Sequence, residues 1–296
     1  IKLRLNRRVI NFLSEQSNKA NDYYDFSNIL SDLNGEDKII SLDVGAQGGF
    51  NSEEVFSSRY NNYFEPIMIE PIKEEAEKLK SKFRFVLDKG LWSSQSKKKI
   101  NILGNRLGSS SFYEPNKSSL KIHSIKEKEI SNFNITEKRE INCETIDFSL
   151  EKIGIKKLDY LKIDTQGAEF EILKGMKKYK PLLIRLEVHI FSMYKNVPNW
   201  SNLIKLLDEL NYMVIDWKEI GSHVTRTPAE TDMVFIPNFT NETGKQIIKD
   251  NKKKFISLML IFGHIELLKI ILSEIDMEMD LDILKIINKF EDRYFF

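Results

Sequence analysis

Residues 38–51 read KIISLDVGAQGGFN, an apolar run that stops abruptly in a cluster of glycines. Residues 38–44 are a short, mostly apolar run that stops at Gly45, which predicts a buried strand of a parallel sheet. Gly45, Gly48 and Gly49 then allow a sharp turn and a close approach of the backbone to a ligand. Taken alone, such a cluster is also what a tight turn needs. Asn51, with Glu54 three positions on, reads as the cap and acidic first turn of a helix.

On the C-terminal side of this run the same alternation continues. Strands are predicted over residues 66–70, 84–87, 99–103, 139–143, 158–163, 182–188, 212–216 and 232–236. Helices are predicted over 73–80, 168–175 and 200–210. Strands alternating with helices imply an α/β fold, a doubly wound and mostly parallel sheet covered on both faces. Residues 104–136, rich in Ser, Asn and Lys, are too long for a plain connection and read as a partly helical insertion or lid. Residues 1–37 form a preamble with a helical stretch around Phe12, Tyr23, Phe26 and Leu30, and residues 38–240 form the main domain. Residues 241–296 are a helix-only C-terminal extension, with the boundary falling between 238 and 244.

Composition narrows the function. The 296 residues are 41% hydrophobic and 30% charged, as in an ordinary globular protein. Lys plus Arg number 45 against 44 Asp plus Glu, so there is no basic excess for phosphates and no nucleic-acid partner is expected. Cys143 is the single cysteine, which rules out an internal disulfide and a cysteine-built metal site and fits a cytoplasmic setting. The longest apolar run, 255–263, is well short of the roughly 20 residues a membrane span needs. Apolar residues are dense through 255–287, and the expectation there is packing on the main domain or a homo-oligomer contact rather than a membrane surface.

In open α/β sheets, ligands bind beyond the carboxyl ends of the strands where the strand order reverses. Gln47 stands where the dinucleotide fingerprint needs a second glycine, which counts against a pyrophosphate-binding dehydrogenase. Asp43, directly before the glycines, suits a cofactor with cationic groups and no phosphate, such as S-adenosylmethionine. Glu70 ends the second strand, where a carboxylate can accept hydrogen bonds from ribose hydroxyls. Asp88 ends the third, where an adenine amino group would fall. Asp164 ends a strand and faces the mouth of the cleft, or else caps the helix that Gly167 opens. Glu187 and His189, two apart on the next strand, share one face.

Asp43-Val44-Gly45-Ala46, Ile69-Glu70-Pro71, the run 162–169 (KIDTQGAE) and the later Glu187 resemble, in order and spacing, the FkbM family of methyltransferases over residues 38–237. The resemblance implies a seven-stranded Rossmann-like sheet with an antiparallel last strand. It also implies S-adenosylmethionine held by Asp43, Gly45, Ala46, Gln47, Gly48, Glu70, Pro71 and Asp88. The reaction implied is O-methylation of an acceptor hydroxyl, above all on a sugar in surface-glycan biosynthesis. Gln47 replaces the usual Asn of the family, and Gln166 replaces a frequent Glu. Ser109 and Ser110, in a serine-rich stretch that also resembles the family, are expected near cofactor or acceptor unless they form a mere loop tip.

Two routes to an activated hydroxyl stay open: proton removal by Asp164 or His189, or a cation such as Mg²⁺ held by Asp164 and Glu187. The rival to an enzyme is a methyltransferase-like binding module without catalysis.

Overall fold

The structure, a computed structural model, describes residues 25–123, 125–222 and 227–275. It divides into two units. The larger comprises residues 39–50 and 65–251; the described part of the smaller comprises 25–38, 51–64 and 252–275.

Among the described residues ten strands follow in chain order: β1 (Ile39–Val44), β2 (Phe64–Ile69), β3 (Phe85–Leu87), β4 (Gly90–Leu91), β5 (Ser96–Ile102), β6 (Glu137–Glu144), β7 (Tyr160–Ile163), β8 (Leu183–His189), β9 (Tyr212–Ser222) and β10 (Thr227–Pro237). Seven of them make one sheet in the order β3-β2-β1-β7-β8-β10-β9. The pairs β2/β3, β1/β7 and β7/β8 are parallel, while β10 runs antiparallel to both β8 and β9. The expected mixed α/β sheet is therefore present, seven-stranded and mostly parallel. Its central strands are buried on both faces, with Leu42, Val44, Leu161, Ile163, Ile184 and Leu186 all at 2% exposure or less. That two-sided burial leaves even Ser41 and Asp43 of β1 buried, at 0% and 6% exposure.

Two of the expected strands lie elsewhere. β5 and β6 pair antiparallel with each other in a separate three-stranded sheet, with β4 beside β6. Exposed positions fall at Lys97 and Lys99 of β5 and interleave with buried Ile141 and Cys143 along β6, unlike the largely buried central strands of the main sheet. The terminal hairpin is longer than its apolar cores suggested, with eleven residues in each of β9 and β10.

The segment between β5 and β6 forms short helical turns: Leu107–Ser109, Lys117–Leu120 and Glu127–Phe133. Leu103, Leu120 and Phe133 pack with Met193 and Tyr194, from the loop after β8. Backbone bonds fasten the two segments, Asn116 N to Met193 O at 2.7 Å and Lys195 N to Glu114 O at 2.8 Å. This docking sets the insertion over the carboxyl end of β8, beside the sheet's switch point.

In the smaller unit the helix expected at Asn51 does not form. Asn51 and Glu54 have φ of 52° and 49°, left-handed values that a right-handed helix cannot contain. The Asn51 side chain instead donates to Phe56 O (2.8 Å) and Asn61 Oδ1 (3.0 Å), closing a loop before the 3₁₀ turn Ser58–Tyr63. The helices Ser27–Asn34 and Lys252–Ile261 touch through Asn34 Nδ2 and Ser257 Oγ, 2.9 Å apart. Phe255 to Ile261 are all buried, which accounts for an apolar run without helical period. Among the described residues, no helix is long and apolar enough to cross a membrane. Phe12, Tyr23 and residues 276–287 lie outside the described residues.

Candidate active site at the switch point

Strand order reverses between β1 and β7: β2 and β3 lie on one side, β8 and β10 on the other. That topology creates a crevice beyond the carboxyl ends of β1 and β7. Asp43 and Lys162 are register partners there. Lys162 Nζ stands 3.3 Å from Asp43 Oδ1, 3.5 Å from Asp164 Oδ2 and 3.4 Å from Gly45 O. One ammonium thus ties both expected acidic residues to the glycine turn. Residue order gave Lys162 no role, although a lysine inside a buried strand is itself a signal.

Gly45 sits at φ 79°, and a Cβ on it would lie 1.8 Å from Asp164 O. The turns after β1 and β7 therefore meet backbone to backbone, and only glycine fits. Gly45 N and Ala46 N both donate to Ile69 O at 3.1 Å, which fixes the turn against the end of β2. Gln47 reaches the insertion, since a Cβ on Gly108 would come within 2.7 Å of its Oε1. Gly48 has φ 92°.

Glu70 is 4% exposed at the end of β2 and accepts Ile72 N at 2.8 Å. Burial pushes its pKa up to about 7, outweighing the lowering by the Ile72 N–H. Pro71 beside it is half-buried. Asp88 is placed more loosely: it is half exposed and pairs with Lys80 at 3.3 Å.

Gln166 is the hub of the second half of the site. Its Nε2 donates to Asp164 Oδ1 (3.1 Å) and to Glu187 Oε1 (2.8 Å), and its Oε1 accepts from Tyr194 OH (2.9 Å). Its backbone is left-handed at φ 61° and its carbonyl accepts Ser111 Oγ at 2.7 Å. Glu169, at the start of the helix Glu169–Lys174, holds the turn with Oε1 accepting from Thr165 N, Thr165 Oγ1 and Gly167 N. The amide of Gln166 stands between Asp164 and Glu187, so these two carboxylates are bridged by a donor rather than arranged around one cation position. Of the serine stretch, Ser111 is the hydroxyl that reaches the hub. Ser109 contributes its carbonyl to Tyr194 OH (2.7 Å), and Ser110 Oγ accepts Leu103 N (3.1 Å) inside the insertion.

Beyond Glu187 the polar chain continues. His189 Nε2 lies 3.6 Å from Glu187 Oε1 and 3.4 Å from Glu230 Oε2. Glu230 faces His189 in the β8/β10 register, and His123 from the insertion comes within 4.0 Å of Glu230. Glu187 has its pKa raised, first by burial and then by the nearby charges of Asp164 and Glu230. Burial lowers that of His123. A small cavity opens beside this cluster between Gly167, Glu169, His189, Val197 and Trp200. Glu230 and His123 carried no motif in the sequence; the hairpin register and the docked insertion bring them in.

Hydrogen bonds and ion pairs therefore run from the glycine turn through Lys162, Asp164 and Gln166 to Glu187, with His189 and Glu230 close beside it. No curated protein matches the chain. A family model described as the methyltransferase FkbM domain matches residues 43–214, from the end of β1 into β9. With more than half of its length matched, through the strands β2, β7 and β8 that flank this crevice, the chain belongs to the FkbM methyltransferase family.

Proposed function

We propose that this methyltransferase uses S-adenosylmethionine and transfers the methyl group to a hydroxyl of its acceptor, a sugar in glycan biosynthesis being the class implied by the family resemblance. The observation that carries the reading is the buried Glu70 carboxylate beside a glycine turn too tight for any Cβ. A carboxylate raised to about 7 by burial gains most from new hydrogen-bond donors, and two ribose hydroxyls are such donors. Asp43 and Asp164 supply negative charge for an ammonium and a sulfonium, and Lys162, paired with both, holds the two carboxylates in place. The crevice thus fits a cationic nucleoside and lacks the second glycine of a pyrophosphate site.

When bound, that cofactor supplies a methyl group already activated by its sulfonium. The chain's own residues position the partners and prepare the hydroxyl. Gln166 links the cofactor side to the acceptor side by bonding Asp164 and Glu187 together. The insertion, tied to Gln166 through Ser111 and Tyr194, covers the site and excludes water. The acceptor hydroxyl is activated at the cluster of Glu187, His189 and Glu230, either by giving its proton to His189 or by a cation held there. Asp164 suits that role less, since both its oxygens face Gln166 and Lys162.

Isothermal titration with S-adenosylhomocysteine, with NAD as control, tests the cofactor class. Binding of the first alone supports the reading. Binding of neither leaves a non-catalytic module with the methyltransferase fold.

A further inference from the structure

We propose that Glu187, His189 and Glu230, with His123 standing behind Glu230, form a binding site for one divalent transition-metal ion, of the Zn²⁺ or Mn²⁺ class, at the carboxyl end of β8. One ligand atom from each of Glu187, His189 and Glu230 lies within 4.8 Å of the others. The separations from His189 Nε2, 3.6 and 3.4 Å, match two ligands on one ion. Atoms roughly 2.0–2.1 Å from a tetrahedral centre stand about 3.4 Å apart.

A proton explains this geometry less well than a cation. The His189 side chain is 3% exposed, and its Nε2 makes no hydrogen bond even with two carboxylates so near. His123 repeats the pattern. Its Nε2 lies 2.6 Å from the Phe191 carbonyl, which can only accept, so that nitrogen carries the proton. In the neutral ring Nδ1 is then a lone pair, and it is buried, without a partner and 4.0 Å from Glu230 Oε2. A histidine whose outer N–H is fixed by a carbonyl, with its other nitrogen bare, is oriented as metal-ligating histidines are. Gln166 does the corresponding work for Glu187 by donating to its Oε1 at 2.8 Å.

The scaffold is rigid. Glu187 and His189 share one face of β8, and Glu230 is the register partner of His189 on β10. The imidazole of His189 favours a transition metal over Mg²⁺, which takes oxygen ligands. Glu230 lies outside the matched family domain, so the site is a property of this chain's hairpin as well as of that domain. The function of the ion, polarising the acceptor hydroxyl, rests on the methyltransferase reading above; the site itself does not.

The test uses the full chain, stripped with a chelator and titrated with Co²⁺ while its visible absorption is followed, without cofactor or acceptor. The expected result is saturable binding of one equivalent, displaced by Zn²⁺, with a rise in Tm. His189→Ala and Glu230→Gln should each weaken binding by at least about 100-fold, and His123→Ala by about 10–100-fold. Glu140→Gln, on the exposed face of β6, should change nothing. Circular dichroism on each variant separates lost binding from lost folding. No saturable binding below about 1 mM, or undiminished binding in folded His189→Ala and Glu230→Gln, overturns the proposal. S-adenosylhomocysteine titrated into the same samples keeps the two readings apart: cofactor binding without Co²⁺ binding sinks only the metal site, and the converse sinks only the cofactor reading.

Discussion

The side-chain amide of Gln166 donates to Glu187 across 2.8 Å while also donating to Asp164 across 3.1 Å. One neutral side chain thus separates two carboxylates that would otherwise repel at close range in a partly buried site. With that separation Asp164 reaches Lys162 on one side and Glu187 lies beside His189 on the other.

Gln166→Glu should remove the donor and add a third carboxylate. We expect a loss of about 2–4 kcal/mol at pH 8, from the buried repulsion and the lost hydrogen bonds. The introduced carboxyl would have a raised pKa, so the folded variant binds an extra proton and regains stability as pH falls toward 5. Chemical denaturation at the two pH values checks this. Equal stability of variant and parent at pH 8 would show that the amide is not needed as a spacer.

Glu70 predicts opposite effects on stability and binding. Its folded pKa of about 7 lies above the ordinary 4.5, so the folded protein holds a proton the unfolded chain has released between those values. Stability from this group falls as pH rises through that window and stays low above it. Glu70→Gln should therefore be neutral near pH 4.5 and stabilising by about 1–3 kcal/mol at pH 8. The same variant should bind S-adenosylhomocysteine at least tenfold more weakly at pH 8. Tm and titration on one preparation read both effects, and a variant that binds as well as the parent would remove Glu70 from the cofactor site.

Lys162→Met leaves Asp43 and Asp164 together without their shared ammonium. Breaking a buried ion pair from one side typically costs about 3–5 kcal/mol. We expect a loss near the lower figure, since Asp164 is partly exposed. Urea denaturation measures it, and Lys162→Arg should recover part of the loss by keeping the charge.

Ser110 and Ser111 should separate stability from turnover. Ser111→Ala cuts the tie from the insertion to Gln166 O and should lower kcat by about tenfold, with the fold retained. Ser110→Ala removes only the acceptor for Leu103 N, costing about 1 kcal/mol and leaving kcat near the parent value. Steady-state kinetics of the two variants settle the order, and a larger kcat defect in Ser110→Ala would reverse the assignment.

Much of the sheet was legible from residue order because its central strands are buried on both faces. Runs such as 38–44 and 158–163 are short and mostly apolar for that reason, and the chain must turn at the crevice once each strand ends. Asp43, Gly45, Glu70 and Asp164 could be found in this way, since their positions depend only on strand ends and sheet topology. Residue order misled at Asn51, where a good cap residue adopts a left-handed backbone instead. It also left β5 and β6 indistinguishable from members of the main sheet, because a strand's pattern reports its burial and not its partner.

Residue order was enough for the fold class, the family and the glycine turn with its acidic flank, because these are local patterns set by burial and backbone sterics. Three-dimensional packing was needed to join Asp43 to Asp164 through Lys162, to bring Ser111 rather than Ser110 to Gln166, and to gather Glu230 and His123 around His189. Those contacts join residues far apart in the chain, and no local periodicity encodes them. They are chosen when strand register and the docking of the insertion are fixed together by what the whole chain can bury.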